Sequence, residues 1–331
     1  MKKLNDNTKK TMSARIITGL LLAIVAVPIF FIGDWWYVSL ILVALIIATT
    51  EFLSAAKVSR VYWLIYFFTY LAITSLTFWV FIKNNMKTNV AEGHSLLDLS
   101  FWSLPRGFNE LDISTLGIVV IMISLFTLLI FDRNFQFEIA TYMFMMIVLV
   151  GIGFQSFLFL RFYPLQQGHM SESFQPNWLT SSFLLLYILI GTIGNDIGAY
   201  FIGVLFGKNK MAPRVSPNKT WEGFLGGYVI SAVLSFTFAL VVSLTGNPLI
   251  PSLDINGSRW YLLVIFSLSM PLLANIGDLF FSVLKRNFAI KDYGKLLRGH
   301  GGILDRLDSL LIVSLAISTI LTLIENGFGI V

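Results

Sequence analysis

The chain has 331 residues, of which 56% are hydrophobic and only 12% charged, with a formal net charge of +5. A soluble domain normally carries about 25% charged residues, so this composition excludes a soluble protein and indicates an integral membrane protein. The chain contains no cysteine, which excludes disulfides and thiolate chemistry. No nucleic-acid partner is expected, because the positive charge is distributed as membrane topology requires.

Apolar runs close to 20 residues long predict about nine membrane-spanning helices, so the expected fold is an all-α integral membrane protein. The approximate bounds of these runs are 14–33, 35–56, 61–83, 114–131, 139–160, 179–206, 224–246, 260–281 and 303–324. The sixth and eighth runs carry polar residues in their second halves. We expect those ends to line a cavity rather than to face lipid.

The distribution of lysine and arginine predicts the orientation of these spans. If the N-terminus is cytoplasmic, 18 of the 23 basic residues lie on the cytoplasmic side and five lie outside. This is a strong positive-inside bias, and nine spans then place the C-terminus outside. Since no transit peptide is recognised, we expect a multi-pass protein of the bacterial inner membrane.

Polar residues are unevenly divided between the two halves of the chain. The first three spans carry almost none besides Glu51, whereas the last four carry nearly all of them. We therefore predict an N-terminal membrane scaffold of about five spans at 1–160 and a catalytic region of about four spans with cytoplasmic loops at 161–331. No internal repeat is recognisable, which disfavours an inverted-repeat transporter.

Three acidic residues are expected at the cytoplasmic mouth of the last two spans. Asp305 and Asp308 lie on one face of a helix, and Asp278 lies near the cytoplasmic end of the preceding span. Two adjacent antiparallel spans would bring Asp278 and Asp305 to a similar depth. Oxygen ligands in an accessible site suit Mg²⁺, although structural ion pairs and a cation pathway are alternatives.

The segment between those two spans combines basic residues with glycines. The basic residues are Lys285, Arg286, Lys291, Lys295 and Arg298. The sequence GHGG at 299–302 leads directly into a helix, so its backbone amides and the helix dipole predict an anion site. His300 could donate to a phosphate or act as an acid or base. A topology anchor and a contact for anionic lipid headgroups are alternatives for the basic residues.

A second basic loop at 207–221 lies on the same face of the membrane. It holds Lys208, Lys210, Arg214 and Lys219 together with Ser216 and Thr220. The chain contains no Walker A spacing, which disfavours a P-loop enzyme. The two loops and the carboxylates together predict a cytoplasmic cup for phosphoryl or nucleotidyl transfer onto a lipid headgroup.

The segment from Ser282 to Asp308 resembles the signature of the phosphatidate cytidylyltransferase family. The matching positions are Ser282, Lys285, Arg286, Lys291, Asp292, Gly294, His300, Gly301, Gly302, Asp305, Arg306 and Asp308. The stretches DIGAYFIGVLFGK and SPNKTWEG also look like family segments, so the resemblance covers about residues 191–315. Arg298 and Asn218 depart from the family pattern, which more often has Pro and Lys there.

The resemblance implies that phosphatidic acid attacks the α-phosphorus of CTP, giving CDP-diacylglycerol and pyrophosphate in phospholipid biosynthesis. It implies Mg²⁺ between Asp278 and Asp305, allows a second cation such as K⁺, and allows a homodimer. The implied catalytic residues are Asp278, Asp305, Asp308, Lys285, Arg286 and His300. The implied substrate- and phosphate-binding residues are Ser216, Lys219, Thr220, Ser282, Lys291, Asp292, Gly301, Gly302, Arg306 and Asp196.

Three other functions are compatible with these residues. A CTP-dependent polyprenol kinase or another CDP-lipid synthase would share the basic cup. A cation-coupled transporter could use Asp196, Asp278 and Asp305 as an ion path, although these acids gather at one face rather than at the midplane. If the protein were a lipid-binding scaffold without activity, the carboxylate cluster would be incidental to its function.

Overall fold

A computed structural model of the chain describes residues 24–56, 65–78, 113–131, 135–170, 174, 176–177, 179–296 and 301–325. Helices dominate these ranges. They are α1 (24–32), α2 (Asp34–Ala55), α3 (Ile65–Phe78), α4 (Ile113–Phe131), α5 (Phe137–Met170), α6 (Phe183–Phe206), α7 (Trp221–Leu244), α8 (Tyr261–Asn287) and α9 (Leu304–Glu325).

Six of the described helices, α2 and α5 to α9, are long and apolar enough to cross a membrane. Shorter apolar helices are present at Ile65–Phe78 and Gly117–Phe131, within the third and fourth predicted spans. The prediction of a multi-pass α-helical membrane protein is thereby confirmed. The count of nine spans and the orientation of the termini stay predictions.

The structure differs from the sequence-based elements at two places. The loop at 207–221 contains an antiparallel hairpin, with β1 at Lys210–Ala212 and β2 at Ser216–Thr220. The eighth span does not end near residue 281, because α8 continues to Asn287 and carries Lys285 and Arg286 in its last turn. Basic side chains in this position interact favourably with the negative end of the helix dipole.

The chain forms two compact units, whose boundaries fall inside α2 and α5. The smaller unit comprises Phe52–Gln155. Within it, the Thr77 hydroxyl donates to the Gly151 carbonyl at 3.1 Å and the Tyr142 hydroxyl to the Phe52 carbonyl at 3.2 Å. Such bonds satisfy hydroxyl groups that are out of reach of water. The functional division near residue 160 stays a prediction.

The larger unit comprises Met1–Glu51 and Ser156–Val331, and its packing is best seen between α6 and α7. A Cβ placed on Gly198 would lie only 3.1 Å from the Gly227 Cα, so small residues allow the two backbones to approach closely. Nearby, the Ser231 hydroxyl donates to the Gly191 carbonyl at 2.5 Å. The α6–α7 pair is therefore tightly packed.

Helix α8 is joined to α6 and to α9 by specific contacts. Asn275 on α8 donates to the Asn195 side-chain oxygen on α6 at 2.9 Å, and both side chains are buried. On the other side, Gly277 packs against Ser309 of α9, and Lys285 pairs with Asp305. The end of α8 therefore meets the beginning of α9, as two antiparallel neighbours require.

Candidate active site

The first charge pair of the site joins the hairpin to α8. Lys219 lies on strand β2, and its Nζ is 2.6 Å from Asp278 Oδ2. The two side chains are 23% and 30% exposed, so this pair is accessible from outside the protein. One turn further along α8, the Ser282 hydroxyl donates to Asp278 Oδ1 at 3.3 Å. Asp278 is thus an accessible carboxylate whose partner is a cation on a flexible side chain, a lysine.

The second charge cluster is more buried and joins α8 to α9. Lys285 Nζ lies 3.0 Å from Asp305 Oδ1 and 3.6 Å from Asp308 Oδ2. The same ammonium group lies 5.7 Å from the centre of the Tyr293 ring, at a distance typical of a cation–π contact. One lysine therefore balances two carboxylates that would otherwise be costly to bury.

Asp305 also organises the chain that leads into α9. Its Oδ2 accepts from the Tyr293 amide at 2.8 Å and from the Gly302 amide at 3.0 Å. Gly301 has φ +82°, a backbone conformation that glycine adopts without steric cost. The side chain of Asp305 thus binds both ends of the 293–302 connection.

The packing of α8 against α9 sets the depth of the acidic residues. It differs from the sequence-based expectation that Asp278 and Asp305 lie at a similar depth. Because Gly277 packs on Ser309, Asp278 is level with Asp308, while Asp305 lies one helical turn further out beside Lys285. Asp308 interacts electrostatically with Asp278, and Asp278 interacts with Asp196 on α6. The accessible carboxylate is therefore part of a wider acidic cluster.

One carboxylate of this cluster, Asp278, has the chemistry and the exposure that a hard cation such as Mg²⁺ requires. Within the described ranges, no group of three or more His, Cys, Asp or Glu side chains is arranged to hold a metal ion. Mg²⁺ in phosphoryl-transfer sites commonly takes only one or two carboxylates and completes its coordination with water and substrate phosphates. Asp278 is accessible and already attracts one cation, Lys219, so it meets this requirement.

The hairpin that carries Lys219 is held at both of its ends. At its base, the Glu222 carboxylate accepts from the Lys208 amide at 3.1 Å and the Asn209 amide at 3.2 Å. At its turn, Arg286 Nε donates to the Val215 carbonyl at 3.2 Å, and Nη1 of the same side chain donates to the Ile290 carbonyl at 3.0 Å. Arg286, one of the catalytic residues that the family resemblance implies, here ties the hairpin to the end of α8.

The other predicted residues lie around this core. Thr220 is buried and caps α7 by accepting from the Gly223 amide at 3.1 Å, whereas Ser216 pairs with Ala212 in the hairpin. Lys291 and Asp292 are exposed. Arg306 is also exposed and interacts electrostatically with Asp196. His300 lies outside the described residues, as does Arg298.

The amides at the start of α9 are not free, in contrast to the expectation of an open anion site. The Gly302 amide donates to Asp305, and the Ile303 and Leu304 amides donate to Glu51 at 3.0 and 2.8 Å. An external phosphate would have to use other donors or displace these carboxylates. The sequence-based site omitted Glu51, although a lone carboxylate in an apolar span is itself a signal of function.

Comparisons with known proteins identify the family of the chain. A family model described as the cytidylyltransferase family matches residues 13–324. The chain is 32% identical over 302 residues to a phosphatidate cytidylyltransferase of Bacillus subtilis, covering 91% of this chain and 94% of that protein.

Two further relatives carry the same name and match over shorter regions. A protein of Haemophilus influenzae is 44% identical over 128 residues, which cover 39% of this chain and 42% of the relative. A protein of Staphylococcus saprophyticus is 35% identical over 205 residues, covering 62% of this chain and 67% of the relative. With a family model that matches nearly the whole chain, this protein belongs to the cytidylyltransferase family.

Proposed function

We propose that this protein transfers a cytidylyl group from CTP to phosphatidic acid, giving CDP-diacylglycerol and pyrophosphate. The observation that carries the proposal is the accessible Lys219–Asp278 pair beside the buried Lys285–Asp305–Asp308 cluster, at one end of apolar helices. This arrangement combines cations for phosphates with carboxylates for a divalent ion. Membership of the cytidylyltransferase family and the names of three relatives support the choice of reaction.

The reaction needs little proton transfer, because the attacking group is already a phosphate oxyanion. An oxygen of phosphatidic acid forms a bond to the α-phosphorus of CTP, and the bond from that phosphorus to the bridging oxygen of pyrophosphate breaks. Lys219, Lys285 and Lys291 would neutralise the triphosphate and the lipid phosphate. Catalysis would therefore consist mainly of positioning and charge neutralisation.

Mg²⁺ is the cofactor that this proposal requires, with Asp278 and Asp305 as its ligands and a second cation such as K⁺ as an additional candidate. When bound, Mg²⁺ would neutralise the charge that develops on the phosphates. Asp308 and Asp196 would complete the acidic cluster around Asp278. Ser282 would orient Asp278 through its hydrogen bond to Oδ1.

The proposed location is the cytoplasmic face of the inner membrane, with nine spans, a cytoplasmic N-terminus and an external C-terminus. The basic residue distribution supports this topology. Since the chain has no cysteine, single cysteines placed at Lys208 and Ser258 report sidedness directly. We expect a membrane-impermeant maleimide to label only the second in intact cells. A homodimer, which the family resemblance allows, stays a prediction that light scattering in detergent can test.

The position of a radioactive label distinguishes this reaction from its rivals. Purified protein is mixed with phosphatidic acid micelles and with CTP labelled either on the α- or on the γ-phosphate, with Mg²⁺ or with EDTA. We expect the α-label to enter the lipid only with Mg²⁺ and the γ-label to leave as pyrophosphate. Transfer of the γ-label to a lipid acceptor would instead show a kinase. If the α-label does not enter the lipid and no labelled pyrophosphate is released, the proposal is refuted.

A further inference from the structure

Glu51 is a buried carboxylate that reaches from α2 to the beginning of α9. Its side chain is only 6% exposed. Oε1 accepts from the Ile303 amide at 3.0 Å, and Oε2 accepts from the Leu304 amide at 2.8 Å. Among the residues that the structure describes, no Lys or Arg forms an ion pair with Glu51. Its charge is balanced by the first amides of a helix, where the dipole is positive.

Two glycines on the connection to α9 pack directly against this carboxylate. A Cβ on Gly294 would collide with Glu51 Oε1, and a Cβ on Gly302 would collide with both carboxylate oxygens. Any other residue at either position would push the carboxylate away from the helix. Gly294 and Gly302 therefore both lie directly against the Glu51 side chain.

The same connection is held from its other side by Asp305. The Gly302 amide donates to Asp305 Oδ2, while the Gly302 Cα packs on Glu51. Tyr293, next to Gly294, also donates its amide to Asp305 Oδ2. Displacement of Glu51 would free the Ile303 and Leu304 amides next to Gly302, whose own amide helps to hold Asp305, and through Asp305 it would loosen Lys285.

We propose that Glu51 is a positioning residue for cytidylyl transfer: by holding the Ile303 and Leu304 amides, next to the Gly302 amide that binds Asp305, it fixes the placement of Asp305. The inference rests on the proposed function for its effect on turnover, because Glu51 would act on the reaction through Asp305. A residue that merely stabilises the fold would lower activity whatever the state of Asp305. A residue that acts through Asp305 would lose its effect once the Asp305 charge is removed.

The test combines turnover with amide exchange on purified full-length protein in detergent micelles. Glu51→Gln keeps the shape of the side chain but presents an amide group to one backbone N–H that needs an acceptor. It is compared with wild type, with Asp305→Asn and with the double variant. Thr49→Val is the matched control, because Thr49 is also buried on α2 and its hydroxyl donates to the Leu45 carbonyl of the same helix.

We expect Glu51→Gln to lower kcat about tenfold in the wild-type background and less than about twofold in the Asp305→Asn background. Hydrogen–deuterium exchange of the peptide 301–307 should become faster in Glu51→Gln and stay at the wild-type rate in Thr49→Val. Equal losses in both backgrounds, or unchanged exchange of that peptide, would overturn the inference.

A second variant and a separate readout cover the cases in which Glu51→Gln does not fold or the wild type is inactive. If Glu51→Gln does not give monodisperse protein, Gly294→Ala replaces it, because the added methyl group displaces the carboxylate while leaving both charges in place. Normal turnover and normal exchange in Gly294→Ala would then overturn the inference. If wild type transfers no cytidylyl group, the proposed function fails, while the exchange rates still decide whether Glu51 fixes the start of α9.

Discussion

The ammonium group of Lys219 lies 2.6 Å from the carboxylate of Asp278 and so connects a short hairpin to the polar end of α8. Both side chains remain partly exposed, in contrast to the buried pair formed by Lys285 and Asp305. An accessible pair can open to receive a phosphate at the lysine and a cation at the carboxylate. We therefore expect Lys219 to be released for substrate more readily than Lys285, which also has to balance the charges of Asp305 and Asp308.

Lys219→Met should lower kcat/KM for CTP by about 100-fold, because a charge-assisted contact to phosphate is lost from a partly screened site. Steady-state kinetics with radiolabelled CTP measure the change. Lys210→Met is the matched control, since Lys210 is an exposed lysine on the other strand of the same hairpin. It should change kcat/KM by less than about twofold. Equal effects of the two substitutions would contradict a specific role for Lys219.

Lys285→Met should destabilise the protein by about 3 kcal/mol, because it leaves Asp305 and Asp308 buried without their shared cation. Thermal unfolding in detergent measures the loss. Adding Asp308→Asn removes one of the two unbalanced charges and should recover part of the stability. A double variant no more stable than Lys285→Met would show that the lysine does not act through this charge balance.

Gly301→Ala should cost about 1 kcal/mol of stability, since φ is +82° at this position, and should also lower kcat. A Cβ there would lie 3.0 Å from Asp305 Oδ2. Gly246→Ala is a matched control, because Gly246 has φ +80° and no neighbouring atom lies within 4 Å of the position that its added methyl group would occupy. It should lose similar stability and keep its kcat. A normal kcat in Gly301→Ala would contradict the placement of this turn beside a functional carboxylate.

Much of the fold could be predicted from hydropathy alone, because helices are the only way to bury the backbone of long apolar runs in lipid. The hairpin could not be predicted this way. Its strands have three and five residues, and Pro213 and Pro217 suggest an irregular loop. The last turn of α8 was also missed, since its polar residues end the apolar run before the helix itself ends.

The residues of the site could largely be predicted from the sequence, but their relative positions could be predicted less well. The spacing of Asp305 and Asp308 correctly places both on the first turns of one helix, and both contact Lys285. The depth of Asp278 depends on Gly277 packing against Ser309, a tertiary contact that has no signature in the sequence. Glu51 lies 252 residues before its partner Ile303, so its role as a helix cap appears only in three dimensions.

One pair of substitutions tests most directly whether cytidylyl transfer takes place at the end of α8 that carries Asp278. Asp254 lies in the connection before α8, at the opposite end of that helix, and bonds to the nearby Asn256 amide at 3.0 Å. Transfer of α-labelled phosphate from CTP to phosphatidic acid is measured for Asp278→Asn and for Asp254→Asn. We predict a loss of about 1,000-fold or more for Asp278→Asn and less than about twofold for Asp254→Asn. A rate for Asp278→Asn that stays above about a tenth of the wild-type rate would contradict the account.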